Sequence, residues 1–274
     1  MISWIFMKLT SYGWFRSLIW QPIYEFLASR FQEHSWHFMN YGFNPNENEP
    51  KLILSEEDEI HRYSLQMYHY LATKTEIKDK TILEIGSGRG GGSKYIATHL
   101  KPKKMTGMDV ASEAVDFSNR IHKYPNLNFI QGNAEDIPLA DNSIDVVINV
   151  ESSHAYGSVD LFLKEVRRVL KPGGKLLLVD LRNQPRMEHL LTQIKNSGFQ
   201  INEETDITEN VIQAIINDND LKWKRITTSI PKNLRKLFGE FAGVVDSRIY
   251  NYFKQKKHLY YKFVLSNSTD MSIK

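Results

Sequence analysis

The stretch Thr81-Ile-Leu-Glu-Ile-Gly-Ser-Gly-Arg-Gly-Gly-Gly-Ser93 limits what this chain can fold into. Thr81 to Ile85 is a short apolar, β-branched run, the pattern of a buried strand. Five of the seven residues from Gly86 to Gly92 are glycine. Tyr95, Ile96 and Leu100 then recur at helical spacing. A strand that ends in a glycine turn and opens a helix is the nucleotide-binding corner of an α/β sheet. Glycine lets the backbone turn sharply and approach a ligand closely. The free N–H groups at the helix start point at that ligand.

Gly86, Gly88 and Gly91 satisfy G-x-G-x-x-G, which leaves two ligand classes open. One is a dinucleotide; the other is S-adenosylmethionine (SAM). Glu84 favours SAM, because a carboxylate there repels a pyrophosphate but suits the ammonium group of a methionine moiety.

The remaining chain has room for caps on such a sheet. Its 274 residues make one large domain or a domain with attached caps. A net charge of +3 is too small to argue for nucleic acid. The absence of cysteine excludes disulfides and thiolate chemistry, and fits a reducing, cytoplasmic setting. Residues 1–75 read as a helical amino-terminal cap. Its first 31 residues are rich in large aromatics, among them Trp4, Trp14 and Trp20, but no stretch is apolar enough to span a membrane. These helices fit a lid, a homodimer contact or a membrane-surface foot. A helix from about Glu56 to Thr73 follows, with Ile60, Tyr63, Leu65, Tyr68 and Leu71 as inner-face positions. Residues 76–206 form the Rossmann-like core. Its further strands are expected at Met105–Val110, Leu127–Gln131, Ile144–Val150, Lys175–Leu181 and Phe199–Glu203. Residues 207–257 read as a basic helical insert, with helices at Ile207–Ile216 and Asn233–Phe241. Residues 258–274 hold the last strand, Leu259–Leu265, and a tail.

In an open parallel sheet, ligands sit at the carboxyl ends of the strands. Here those ends carry the glycine turn, then Asp109, then Asn133-Ala134-Glu135, then Asn149-Val150-Glu151. Asp109 lies 23 residues past Gly86, where a carboxylate can take both ribose hydroxyls. Asn133 can accept from the adenine amino group, and Ala134 leaves room for the adenine edge.

With these residues in place the chain resembles the class I SAM-dependent methyltransferases. Glu84-Ile-Gly-Ser-Gly-Arg-Gly matches the family's first motif, Gly107-Met-Asp109 its ribose motif and Gly132-Asn-Ala-Glu-Asp-Ile-Pro138 its adenine motif. Arg168-Val-Leu-Lys-Pro-Gly-Gly174 matches the turn before the fifth strand. A looser similarity over most of the chain, through Asn149-Val-Glu-Ser-Ser-His154 and Glu240-Phe-Ala-Gly-Val244, is to phthiotriolone and phenolphthiotriolone dimycocerosate methyltransferases. The resemblance implies a seven-stranded sheet with helical caps and SAM as cofactor. It assigns Glu84, Gly86, Ser87, Gly88, Gly90, Asp109, Val110, Asn133, Ala134, Glu135, Asn149 and Val150 to the cofactor.

Methyl transfer to a hydroxyl also needs a proton acceptor. His154 follows the fourth strand and has the right pKa range. Asp180, at the end of the fifth, can orient its ring, as in sugar methyltransferases of similar frame. Glu151 is the second candidate base, by its resemblance to sterol methyltransferases. No metal-ligand spacing is present. The aromatic cap favours an apolar small-molecule or lipid acceptor, with no nucleic acid. A sterol-type C-methyltransferase and a non-catalytic SAM-binding partner protein remain as alternatives.

Overall fold

A computed structural model of the protein describes residues 37–46 and 51–267. The aromatic helices expected before residue 37, with the lid, dimer or membrane role attached to them, lie outside the described residues. In chain order the structure has α1 (Glu56–Glu59), α2 (Arg62–Ala72), β1 (Thr81–Ile85), and α3 (Gly91–Tyr95) running into a π turn at Ile96–Leu100. Then come β2 (Lys104–Asp109), α4 (Ser112–Ile121), β3 (Leu127–Gln131), β4 (Ile144–Val150), α5 (Val159–Val169), β5 (Leu170–Asn183), α6 (Gln184–Asn196) and β6 (Phe199–Asp206). The described residues close with α7 (Thr208–Ser229), α8 (Arg235–Ala242), α9 (Arg248–Lys254) and β7 (His258–Asn267).

The strands form one sheet in the order β3-β2-β1-β4-β5-β7-β6. Only β7 runs against the rest, pairing antiparallel with β5 and β6. This is the Rossmann-like α/β sheet of seven strands expected from the alternating pattern. Its central strands are covered on both faces, so they are mostly apolar. Val146 and Ile148 of β4 point to one core with Leu71, Val211 and Phe253. Val147, between them, points to the other with Phe162, Leu163 and Leu190.

Several expected boundaries move, each for a local reason. The helix expected at Glu56–Thr73 is two pieces, because His61 leaves helical geometry at φ −115°. Ile60, at that break, is 42% exposed instead of facing inward. Lys171-Pro-Gly-Gly174 forms an irregularity inside β5: its register with β4 jumps from Ile144↔Leu170 to Val146↔Lys175. In the insert, α7 does not stop at Ile216 but continues to Ser229, and α9 is an additional helix. The polar run Asn217–Asp220 stays helical with its side chains partnered on and off the helix. Asp218 pairs with Arg225 at 3.1 Å, and Asn219 accepts from the Val245 N–H at 3.0 Å.

The segment at 37–46 runs as a strap between α2 and α7. Phe43 N–H donates to the Tyr63 carbonyl and Asn44 N–H to the Asn210 carbonyl, at 2.9 and 3.1 Å. The Phe43 ring stacks on Tyr70 with centroids 4.0 Å apart.

The seat of α3 is equally tight. A methyl group on Gly92 would meet the Tyr68 ring at 2.0 Å. Tyr68 cannot swing away, because its hydroxyl is held by Glu84 at 2.7 Å. Gly92→Ala is therefore expected to destabilise the fold. Overpacking of about 1–3 kcal/mol outweighs the helix-propensity gain of about 1 kcal/mol. The check is a lower urea midpoint at unchanged m-value.

Candidate active site

The glycine turn leaves β1 with Gly86 and Gly88 at φ +76° and +51°, a region that favours glycine. The N–H groups of Gly86 and Ser87 donate to the Met108 carbonyl at 2.8 and 3.0 Å, which ties the turn to β2. Asp109, at the end of β2, accepts from the N–H of Gly88 at 2.7 Å and of Ala111 at 3.0 Å. A methyl group built on Gly88 would meet nothing within 4 Å, so open space lies above the turn. Beside it, the buried Ser87 Oγ and Asn149 Oδ1 have no hydrogen-bond partner. Open space over glycine, bordered by orphaned polar atoms, fits a polar ligand such as SAM.

Glu84 is not presented to that space. It is 0% exposed. The Tyr68 hydroxyl donates to one oxygen at 2.7 Å and the Ser93 hydroxyl to the other. Burial pushes its pKa up to about 7 against these two donors. Through these two bonds Glu84 pins α2 and α3 beneath the turn.

The next sites lie along the same sheet edge. Val110, just past β2, is 54% exposed. The Asn133 side-chain oxygen accepts from the Glu135 N–H at 3.0 Å, an Asx turn that positions the loop and engages the oxygen expected to meet adenine. Ala134 is buried. The Glu135 carboxylate accepts from the N–H groups of Gly157 and Ser158, at 2.7 and 3.1 Å, joining this loop to the one after β4. Asn149 donates to the Ile85 carbonyl at 3.0 Å and reaches the Tyr156 hydroxyl at 2.8 Å. Val150 is buried beside it.

Past β4 the backbone turns at Glu151, whose φ of +48° is unusual for a side chain of this kind. Such geometry persists where neighbours hold it. Here Oε1 accepts from the Tyr41 N–H of the strap, at 2.7 Å, and from the Tyr260 hydroxyl of β7. Burial is the main cause of a Glu151 pKa raised to about 8, and the nearby Asp180 charge adds to it.

Asp180 is the opposite case. It is 0% exposed, and its oxygens take the Ser153 hydroxyl, the His154 N–H at 2.8 Å and His154 Nδ1 at 2.7 Å. Burial alone would raise its pKa. The His154 and Arg182 charges and the hydroxyl bond override burial and bring it down to about 2. Arg182 Nη1 lies 3.5 Å away. An ionised Asp180 accepting from Nδ1–H leaves Nε2 of His154 as the basic nitrogen.

Sequence order thus brings together the strand ends, and the structure joins His154, Asp180 and Glu151 across β4 and β5. Tyr41, Tyr68 and Tyr260 were missed as partners of these carboxylates. Their spacing carries no sign of the contact, since Tyr260 lies 109 residues from Glu151. Tyr156 and Ser152 share a loop with His154 and were open to detection by proximity. Among the described residues no three His, Asp or Glu side chains group to hold a metal ion. No described helix is long and apolar enough to cross a membrane.

A mostly parallel sheet with a glycine turn, an acidic second-strand end and polar atoms gathered at one edge fits a nucleotide-like cofactor. Comparison with known proteins makes the class specific. A family model described as a methyltransferase domain matches residues 83–178. The chain is 36% identical over 214 residues to the fatty-acid O-methyltransferase of Mycolicibacterium smegmatis, covering 78% of this chain and 77% of that one. It is 32% identical over 236 residues to the phthiotriol/phenolphthiotriol dimycocerosates methyltransferase of Mycobacterium leprae, covering 85% and 86%. Geranyl diphosphate C-methyltransferase from Streptomyces coelicolor shares the fold at TM-score 0.65 and 17% identity, over 90% of this chain and 98% of that one. The chain belongs to the SAM-dependent methyltransferases, and SAM is its cofactor.

Two outcomes test this geometry. Asp109→Ala removes the carboxylate that holds the Gly88 and Ala111 N–H groups. With the turn no longer anchored and a carboxylate lost from the cofactor edge, SAM affinity measured by calorimetry is expected to fall by about tenfold or more, the worth of one charged hydrogen bond, with the fold retained. Glu84 and Glu151 titrate at about 7 and about 8 when folded, against 4.5 unfolded. At these two groups the native state binds more protons over that range, so their contribution to stability falls as pH rises from about 5 to about 8, opposed below about 6.5 by His37 and His61, which burial keeps neutral with pKa values of about 3 and about 4. Glu151→Gln is expected to flatten part of this slope in urea midpoints measured across it.

Proposed function

We propose that this methyltransferase acts on an oxygen of an apolar, lipid-like acceptor, with His154 as the base for a hydroxyl. The observation that carries the reading is the His154–Asp180 pair, 2.7 Å apart at the carboxyl edge of β4 and β5. Two relatives named for lipid substrates, a fatty acid and phthiotriol dimycocerosates, support the acceptor class.

In this reading the glycine turn, with Gly86, Ser87, Gly88 and Gly90, cradles the cofactor, supported from below by Glu84. Asp109 and Val110 face the ribose. Asn133, Ala134 and Glu135 frame the adenine, and Asn149 and Val150 form the floor near the methionine end. Bound SAM supplies an electrophilic sulfonium methyl group. The chain's own part is to hold the acceptor oxygen in line, exclude water and take its proton. Asp180 fixes the Nδ1–H tautomer of His154 and stabilises the ring once it is charged. Nε2 receives the hydroxyl proton. The strap, closed over Glu151 through Tyr41, keeps water from the same edge.

A second reading makes Glu151 the proton acceptor, as in a C-methyltransferase. Its favouring observation is a carboxylate poised near neutrality, at about 8. His154→Ala separates the two. With labelled SAM and a panel of hydroxylated long-chain lipids, the substitution is expected to lower kcat by ~10²–10⁴-fold while SAM affinity holds. Full turnover in the variant moves the role to Glu151.

A further inference from the structure

Lys222, on α7, brings a positive charge to the junction of the helical insert with the end of β4. Its Nζ is buried and meets no hydrogen-bond acceptor. The Asp218 carboxylate, one turn back, lies 4.0 Å away, beyond hydrogen-bond reach. Both Asp218 oxygens already face the Arg225 guanidinium, at 3.1 and 3.4 Å. Glu151 is the other acid whose charge reaches Lys222. Its Oε1 is engaged by Tyr41 and Tyr260, and burial holds it mostly protonated at neutral pH. His61, 3.4 Å from Arg225, adds no anion, and burial keeps it neutral with a pKa of about 4. Two cations, Lys222 and Arg225, therefore stand against one ionised acid. A buried ammonium with three donors and no acceptor is costly unless an anion completes it.

We propose that Lys222 binds the carboxylate of a long-chain acid, so that the crevice accepts carboxylic acids as well as hydroxyl compounds. The inference rests on the acceptor crevice proposed above and adds the chemistry of its head group. A lysine suits this role because it is a compact charge on a flexible stem that can run along an apolar wall. A carboxylate is already deprotonated, so His154 has no proton to take. The new O–CH3 bond forms as the S–CH3 bond breaks, the bonding pair stays on sulfur, and the opposite charges of acid and sulfonium cancel. The product is a methyl ester.

Binding separates this role from a structural one. Hexadecanoate and hexadecanol compete against a fluorescent fatty acid on the full chain, on Lys222→Met and on Lys222→Arg. Lys222→Met is expected to weaken hexadecanoate by about tenfold or more, since a charged hydrogen bond is lost. Hexadecanol binding and SAM affinity by calorimetry stay unchanged, and the Tm does not fall, because an uncompensated buried charge has been removed. Lys222→Arg keeps most of the acid binding. Equal losses for acid and alcohol, or a lowered Tm with acid binding intact, overturn the inference and return Lys222 to a structural partner of Asp218. A parallel fall in SAM affinity also overturns it, because the bound anion is then the methionine carboxylate. If the wild-type chain binds neither compound, the acceptor reading fails with it; acid binding indifferent to residue 222 overturns this inference alone.

Discussion

Three carboxylates stand beside one another at the carboxyl edge of the sheet, and the rest of the structure is arranged to satisfy them. Glu84 on β1, Glu151 just past β4 and Asp180 on β5 all lie in low-dielectric surroundings, where an unpaired acid is costly. Each takes donors from elements other than its own strand. Glu84 draws on Tyr68 of α2 and Ser93 of α3. Glu151 draws on Tyr41 of the strap and Tyr260 of β7. Asp180 draws on Ser153 and His154 from the loop after β4. Each acid therefore fastens a different loop or cap element to the same edge. The caps are placed by hydrogen bonds as much as by their apolar faces.

The partners given to two of these neighbours set opposite charge states. Asp180 receives a guanidinium and an imidazole, and stays ionised with a pKa of about 2. Glu151 receives a phenol and a backbone N–H, with no cation in contact, and its pKa rises to about 8. The Asp180 charge itself helps keep Glu151 neutral. Two acids pushed apart in this way can hold different roles at one pH. Asp180 serves as the permanent anion behind His154. Glu151 serves as a neutral group that can gain or lose charge with a ligand nearby.

The nucleotide-binding half of this arrangement was legible in the sequence because it is local. Thr81 to Ser93 contains its strand, turn and helix start in one stretch, and β3 and β4 fall where the apolar runs place them. Asp109, Asn133 and Asn149 share one edge because parallel topology puts every strand's carboxyl end on one side. Legibility failed where partners are distant in the chain. The continuation of α7 past Ile216 carries a polar run whose Asn217 and Asn219 find partners in Asn44 and Val245. The position of Glu84 beside the glycines is visible in the sequence, whereas the Tyr68 and Ser93 hydroxyls that hold its carboxylate are not. The exposure of Ile60 follows from a break at His61 that no periodicity announces.

The left-handed backbone at Glu151 links the two halves. A residue with a Cβ holds φ near +48° only while its surroundings fix it. Two of those constraints, Tyr41 and Tyr260, come from the strap and from the last strand. Both elements also pack on the insert: Asn44 of the strap bonds to Asn210 of α7, and the Tyr260 N–H donates to the Thr208 hydroxyl at 2.8 Å. A ligand that shifts α7 against the sheet must therefore shift the support of Glu151 as well. Lys222, on that same helix, is where a charged acceptor would exert such a pull. The geometry thus connects what occupies the cap to the shape of the edge that carries Glu151 and the His154–Asp180 pair.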